Sequence, residues 1–196
     1  MNTNSPEQLN EPSLDLLESD SANFPVSFSK KIKVDLLIDF EAFYCKVQRQ
    51  LVLKEICFFN PITREYKNYI IETPEYCYSG ENESQTKWAS KYLHFIPYSY
   101  MNTTYDRFLE VVNITRLMCK KIITKGSEKS SYLQELFKIE TINLENYGCP
   151  SYRELNSNFQ GNRIHCVYHS SQMNYHCSVF KAHLLANFMK NCEIDI

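Results

Sequence analysis

The sequence lacks an apolar run of the ~18 to 20 residues that a membrane-spanning helix needs. Its N-terminus has no basic segment followed by an apolar core, so it does not resemble a secretory signal. Charge of one sign is not in excess either, because 21 Lys and Arg residues stand against 23 Asp and Glu residues. No internal repeat is present. We therefore expect an intracellular protein, nuclear or cytoplasmic, without a membrane partner.

The chain contains eight cysteines, and the expected compartment decides how they are interpreted. Thiols inside cells stay reduced, so buried, catalytic or metal-binding cysteines are favoured over disulfides. The N-x-S/T sequons at Asn82, Asn102 and Asn113 are then chance matches.

Residues 1–29 differ in composition from the rest of the chain. They hold five acidic residues, no Lys or Arg, and much Asn, Ser and Pro. Such a segment cannot bury enough apolar surface to offset the entropy lost on ordering. We predict a disordered acidic tail over 1–29 and one folded domain over 30–196. The tail is either a solubilising leader or a docking segment for a protein partner through Leu14, Leu16 and Leu17.

Hydrophobic periodicity predicts an α/β domain in which helices flank one mixed five-stranded sheet. The first three strands suit an antiparallel meander, and the last two alternate with helices. The predicted strands are VDLLIDFEAF, LVLKEICFF, REYKNYII, KKIITKG and TINL. The predicted helices are ESQTKWASKYL, NTTYDRFLEVVNITRLM, SEKSSYLQELF and SVFKAHLLANFMKN. Asn102 to Thr104 and Ser127 are the expected N-caps, and residues 143–165 are expected to be a loop.

Two carboxylates, Asp39 and Glu41, lie two residues apart on the first predicted strand. Residues at this spacing share one face of a strand, where two carboxylates are costly unless a cation or donor lies between them. Asp-x-Glu at the end of a buried strand can hold Mg²⁺ or Mn²⁺ against a phosphate, as in two-metal nucleases. The alternative is a solvated strand end. His176, before the last helix, is either a general base or a capping or surface residue.

A second group near the C-terminus, Cys166, His169 and Cys177, has the spacing C-x2-H-x7-C. Thiolate and imidazole ligands at this spacing can share one tetrahedral Zn²⁺. The alternative is a pair of buried thiols near a surface histidine.

A tetrahedral zinc needs a fourth ligand, and Glu55 is one candidate. On the second strand it would share a face with apolar or thiol residues, where a carboxylate needs a partner. The residues of that predicted face are Leu51, Leu53, Glu55, Cys57 and Phe59. The rival fourth ligands are Cys57, His165 and His176.

Five cations cluster around the fourth predicted strand, namely Arg116, Lys120, Lys121, Lys125 and Lys129. The chain also has 14 tyrosines and 12 phenylalanines. Cations beside aromatic rings suit single-stranded nucleic acid, since cations contact phosphates and rings stack on bases. The alternative is that the lysines only keep the sheet soluble.

Together these residues resemble the RNase H-like fold of DEDD-type 3′ to 5′ exonucleases and, within it, the Maelstrom domain of the Piwi-interacting RNA pathway. The resemblance spans roughly Lys33 to Asn191. LLIDFEAF is similar to the first exonuclease motif, which implies that Asp39 and Glu41 are metal ligands. HCSVFKAHLL is similar to the third motif, which implies that His176 is the general base.

The resemblance also implies that two of the four exonuclease acids are missing. Lys129 stands where the second motif has its aspartate, and Lys181 stands where the third motif has its acid. Cations at these positions would repel a second divalent ion. Maelstrom-like domains are similar in having lost these acids and in carrying a Glu-Cys-His-Cys zinc site. The matching positions here are Glu55, Cys166, His169 and Cys177.

Three hypotheses follow. In the first, the domain is a catalytically degenerate RNase H-like module with structural zinc joining the second strand to the last loop and helix. It would bind RNA or protein partners in piRNA-type or mobile-element silencing. In the second, it is a nuclease, either a Mg²⁺- or Mn²⁺-dependent 3′ to 5′ exonuclease using Asp39, Glu41 and His176 or a metal-independent single-stranded RNA nuclease. In the third, it is an interaction protein acting through residues 1–29.

Overall fold

A five-stranded mixed sheet forms the centre of the computed structural model, which describes residues 34–169, 176–192 and 194. The strands are β1 Val34–Cys45, β2 Gln50–Phe59, β3 Tyr66–Ile70, β4 Cys119–Thr124 and β5 Thr141–Asn143. Their order is β3-β2-β1-β4-β5; β2 is antiparallel to both its neighbours, whereas β1, β4 and β5 are parallel. The predicted mixed sheet and its antiparallel meander are confirmed. The predicted tail, residues 1–29, and the first residues of the predicted domain lie outside the described residues.

The described residues also form helices, which occupy both faces of the sheet. The α-helices are α1 Glu83–Tyr92, α2 Tyr105–Met118, α3 Ser127–Phe137, α4 Tyr152–Ser157 and α5 Ser178–Asn191. Short 3-10 turns cover Glu75–Cys77, Gly80–Asn82 and Leu144–Tyr147. None of the helices in this described part is both long and apolar enough to cross a bilayer.

The central strand β1 separates two apolar cores because its side chains alternate between the two faces of the sheet. Leu37 packs in a core with α5, whereas Ile38 and Phe40 pack in a core with α2 and α3. The α2 residues predicted to face the core are buried: Phe108, Val111, Val112 and Thr115. Asp39 and Glu41 share the face of Leu37, so both carboxylates lie on the α5 side.

A β-bulge in β2 changes the predicted face of that strand. Glu41 pairs with Glu55, but the next residue of β1 pairs with Leu53, which leaves Lys54 without a partner across the pair. Leu51 and Leu53 pack in the α2 and α3 core, while Glu55 lies on the α5 side. The prediction that these leucines share a face with Glu55 is wrong, because one extra residue reverses the alternation.

The N-cap of α3 also differs from the prediction. Ser127 is the first helical residue, and the N-cap is Gly126, with a φ of 104° and no capping side chain. Glycine adopts this φ without a steric penalty, so it makes the turn from β4 into α3. In α2 the prediction is confirmed, because the Thr104 hydroxyl accepts a hydrogen bond from the backbone N–H of Arg107.

The segment predicted as a loop over residues 143–165 is partly helical. It contains a 3-10 turn and α4, which begins with a capping box. The Ser151 hydroxyl accepts from the N–H of Glu154, and the Glu154 carboxylate accepts from the N–H of Ser151. This S-x-x-E signal was readable in the sequence SYRE. Its consequence is that α4 brings Tyr152 to the central strand, where its hydroxyl donates to Asp39.

Candidate metal centre

Glu55, Cys166, His169 and Cys177 come together between β2 and the start of α5. All four are buried, and their ligand atoms all lie within 4.8 Å of one another. Nδ1 of His169 lies 3.0 Å from Sγ of Cys166 and 3.7 Å from Oε1 of Glu55. Ligand atoms around a tetrahedral zinc are ~3.3 to 3.8 Å apart, given bonds of about 2.0 to 2.3 Å. The cluster therefore has the size and donors to bind a metal such as zinc.

Each of the two cysteine sulfurs accepts a hydrogen bond from a backbone N–H group. Cys177 is the N-cap of α5, and its Sγ accepts a hydrogen bond of 3.2 Å from the N–H of Cys166. The Sγ of Cys166 accepts one of 3.4 Å from the N–H of His169. Such donors favour the thiolate, which is the form of cysteine that binds a metal.

The carboxylate of Glu55 is held from two sides. The N–H of Ser178, the first residue of α5, donates to Oε2 at 3.1 Å, and the Asn68 side chain on β3 donates to Oε1 at 3.1 Å. The hydroxyl of Ser178 also donates to Asn68. Outer partners of this kind orient a metal ligand and fix its basicity.

The ring of His169 is oriented by a backbone carbonyl. Its Nε2 lies 2.7 Å from the carbonyl oxygen of His94, so Nε2 carries a proton and donates. In the neutral ring, the lone pair is then on Nδ1, the nitrogen that faces Cys166 and Glu55. This is the tautomer that a metal ligand requires.

The rival fourth ligands lie outside the group of ligand atoms that meet. Cys57 is close by, but burial, with the nearby Glu55 charge, raises the pKa of its thiol well above the ordinary value. The ring of His176 packs against Phe95, and that of His165 packs against Phe180. Among the described residues, the geometry therefore favours Glu55 over these rivals as the fourth ligand.

Two of the four side chains hold protons that a metal would displace. A side-chain hydrogen bond between the two cysteine sulfurs lowers the pKa of Cys177 and raises that of Cys166. Burial lowers the pKa of His169, but contacts with Cys177 and Glu55 outweigh it and raise the pKa to about 10. Burial raises the pKa of Glu55, but His169, together with hydrogen bonds from Ser178 and Cys166, leaves the pKa below its ordinary value. At neutral pH, Cys166 and His169 thus carry protons.

The carboxylates of Asp39 and Glu41 form a second cluster, in which lysine ammonium groups are their partners. Nζ of Lys129 donates to Oδ1 of Asp39 at 2.8 Å and to the carbonyl of Phe40 at 2.6 Å, and it lies 3.9 Å from Oε1 of Glu41. Nζ of Lys181 on α5 donates to Oε1 of Glu41. Lys129 and Lys181 thus bind the two acids of the central strand.

Tyr152 completes this cluster with a hydroxyl that donates to Oδ1 of Asp39 at 2.8 Å. Burial, with the Asp39 charge, raises the pKa of Tyr152 well above its ordinary value. Burial lowers the pKa of Lys181, but the charges of Glu41 and Asp39 outweigh it, so the pKa is raised and the ammonium stays charged. The cluster therefore balances two negative charges with two positive charges.

His176 lies near this cluster without bonding to its acids. No hydrogen bond between described residues joins it to Asp39 or Glu41, and its ring packs 4.7 Å from that of Phe95. Burial, with the charge of Lys181, lowers the pKa of His176. Its predicted role as a general base therefore stays a prediction.

The five predicted nucleic-acid-binding cations are placed in different environments. Lys129 belongs to the carboxylate cluster, and Lys125 pairs with Glu145 at 2.7 Å. Arg116 and Lys120 are exposed and Lys121 is half-buried, around the end of α2 and the start of β4. Of the five cations, Arg116, Lys120 and Lys121 thus take no part in the ion pairs that Lys125 and Lys129 form.

Several residues of these two clusters escaped prediction from the sequence. Asn68 and Ser178 hold Glu55, the His94 carbonyl orients His169, and Tyr152 binds Asp39. Only Tyr152 has a local signal, the capping box that starts α4. The other contacts join residues far apart in the chain.

Comparison of the chain with protein-family models and with curated proteins finds no match.

We expect that Cys166→Ser or Cys177→Ser will lose zinc and unfold the domain. A structural zinc contributes on the order of 10 kcal/mol of coupled folding energy, which is comparable to the whole stability of a typical domain. Metal content and thermal melting by circular dichroism measure both effects. The control is Cys192→Ser, an exposed thiol whose replacement should change stability by less than about 0.5 kcal/mol. A Cys177→Ser protein with parental zinc content and melting temperature would contradict the expectation.

Zinc binding should release about two protons near neutral pH, one from Cys166 and one from His169. Because protons compete with the metal, affinity should fall as pH falls, by about 100-fold per pH unit in this range. Isothermal titration in buffers of different ionisation enthalpy counts the protons, and chelator competition from pH 6.5 to 7.5 measures the slope. An affinity independent of pH would contradict this protonation pattern.

Proposed function

We propose that this chain is a zinc-stabilised, catalytically degenerate RNase H-like module that binds single-stranded RNA, in silencing of the piRNA or mobile-element type. The five-stranded sheet, with an antiparallel meander followed by two parallel strands, is the architecture that the Maelstrom-like resemblance implies. The central strand carries Asp39 and Glu41, and the Glu-Cys-His-Cys residues meet at one point. These features support the proposal jointly.

The observation that carries the proposal is the pairing of both carboxylates with lysines. Asp39 is bound by Lys129 and Tyr152, and Glu41 is bound by Lys181. A two-metal site balances four carboxylates with two divalent ions, whereas here two carboxylates are balanced by two ammonium groups. A divalent ion would have to displace both lysines from a largely buried network, at the cost of leaving their charges unpaired. Metal-dependent hydrolysis is therefore disfavoured.

The role of zinc in this proposal is structural. The candidate site offers four protein ligands and is buried, whereas catalytic zinc sites keep a position open for water or substrate. Its ligands come from β2, from the segment after α4 and from the N-cap of α5. A metal there would join the sheet to the C-terminal helix.

Single-stranded RNA is the partner class that the resemblance implies. The cations Arg116, Lys120 and Lys121 support it, because they lie near one another in the chain around the α2 to β4 junction and outside the described ion pairs. The predicted alternative, a protein partner bound through residues 1–29, falls outside the described residues and is an outcome of the binding test.

We expect no metal-dependent cleavage when the 196-residue chain is incubated with labelled single-stranded RNA in Mg²⁺ or Mn²⁺. The reason is that Lys129 and Lys181 occupy the carboxylates that would bind those ions. Because Asp39→Asn removes the partner of Lys129, the variant is first shown to be folded by circular dichroism. The folded variant should then leave the background unchanged, whereas loss of a catalytic group would lower cleavage about 100-fold or more. The matched control is Asp106→Asn, on the first turn of α2.

Cleavage that requires Mn²⁺ or Mg²⁺ and disappears in folded Asp39→Asn protein would overturn the proposal of a degenerate site and make the protein an exonuclease-type enzyme. Cleavage that persists in EDTA and in Asp39→Asn would favour a metal-independent ribonuclease. Zinc content is measured after each incubation, so that unfolding by the chelator is distinguished from loss of chemistry.

Binding of single-stranded RNA should weaken when Arg116, Lys120 and Lys121 are all replaced by Gln. Removing three phosphate contacts should reduce the slope of log affinity against log salt by about 2, since each contributes about 0.7 on a single strand. Fluorescence anisotropy over a salt series measures this change. The control is Lys125→Gln, which removes a lysine already paired with Glu145. An unchanged slope would exclude this surface, and no binding by the parent would favour a protein partner.

A further inference from the structure

The ammonium group of Lys54 is fully buried, and its partners are uncharged oxygens. Its Nζ donates to Oγ1 of Thr73 at 2.9 Å and to the backbone carbonyls of Ile71 at 3.1 Å, Tyr98 at 3.0 Å and Tyr100 at 2.6 Å. An ammonium group has three N–H donors, so these oxygens saturate it. Because a buried charge is costly unless its hydrogen bonds are made, this cage holds the surrounding backbone to a fixed geometry.

The bulge in β2 places this cage beside the metal centre. Lys54 is the extra residue of the bulge, and the next residue is the candidate ligand Glu55. The backbone carbonyl of Lys54 also accepts from the N–H of Ile71 at 2.8 Å. Backbone and side chain of Lys54 are therefore both fixed where the strand turns Glu55 towards the metal centre.

The same cage fixes the connection between α1 and α2. Tyr98 and Tyr100 belong to this connection, and so does His94, whose carbonyl accepts the hydrogen bond from Nε2 of His169. The His94 ring is held as well, by the N–H of Ile96 at 3.2 Å and by an edge-on contact with a phenylalanine ring of β1. The connection thus joins the Lys54 cage to the orientation of a metal ligand.

We propose that Lys54 is a positioning residue of the metal centre, an inference that rests on the metal centre of the proposed function. Without its ammonium group, the carbonyls of Tyr98 and Tyr100 lose their buried donor and the connection that carries His94 relaxes. The His169 ring then loses the fixed acceptor that keeps Nδ1 towards the other ligands. Lys54 touches no ligand atom and acts through the backbone of the connection.

The test is Lys54→Met in the 196-residue chain, which keeps an unbranched apolar side chain and removes the donor. Loss of an outer partner of a ligand lowers metal affinity about 10- to 100-fold, and we expect about 10-fold here. Competition with a chromophoric zinc chelator measures the affinity. The absorption bands of the cobalt-loaded protein, recorded below the melting temperature, should also shift, because these bands report ligand geometry. The control is Lys91→Met, an exposed lysine on α1, which should match the parent.

Folded Lys54→Met protein with parental zinc affinity and cobalt bands would overturn the inference while leaving the metal centre intact. A parent chain that binds no zinc would instead overturn the metal centre of the proposed function. If Lys54→Met does not fold, Lys54→Gln replaces it, because its shorter side chain keeps a polar donor but cannot reach all four oxygens of the cage. Folded Lys54→Gln protein with parental zinc affinity and cobalt bands would likewise overturn the inference.

Discussion

Two buried glutamates face each other across β1 and β2, and the surrounding structure supplies each of them with its own donors or cations. Glu41 and Glu55 are direct partners in the antiparallel register. Side chains at such positions lie about 4.5 to 5.5 Å apart on the same face, where like charges repel. Both residues are largely or fully buried, so water cannot separate them. Each carboxylate therefore needs positive charge or donors of its own, and the fold supplies different ones.

Helix α5 provides partners for both glutamates from its first four residues. The ammonium of Lys181 binds Glu41, while the N–H of Ser178 binds Glu55. Cys177, the N-cap, adds a candidate metal ligand beside Glu55. A negative group near a helix N-terminus is also favoured by the helix dipole. One helix end thus neutralises Glu41 with a lysine and Glu55 with backbone donors and, on the proposed function, a metal ion.

Sequence reasoning succeeded where the chemistry is local and periodic. The strands, the α2 face and the closing helix follow from hydrophobic spacing. Spacing and the resemblance together predict the four residues, Glu55 among them, whose candidate ligand atoms meet. The predicted face of β2 requires a regular strand, however, and the bulge at Lys54 places Leu51 and Leu53 on the face opposite Glu55. A bulge is set by cross-strand register rather than by local sequence, which is why neither it nor the Lys54 cage was readable in advance. The N-cap of α3 is Gly126 and not the predicted Ser127, because backbone conformation, not a side-chain hydrogen bond, makes the turn into this helix.

Asp39 and Glu41 have a structural role that does not depend on nuclease chemistry. Once Lys129 and Lys181 pair with them in a buried network, removing either acid leaves an uncompensated ammonium, which destabilises far more than losing the whole network together. The two acids and the two lysines thus depend on one another for stability, whatever chemistry the site performs. An acidic pair on the central strand is for this reason weak evidence of catalysis in this fold. The partners of the acids, rather than the acids themselves, distinguish a site prepared for divalent ions from one that carries its own cations.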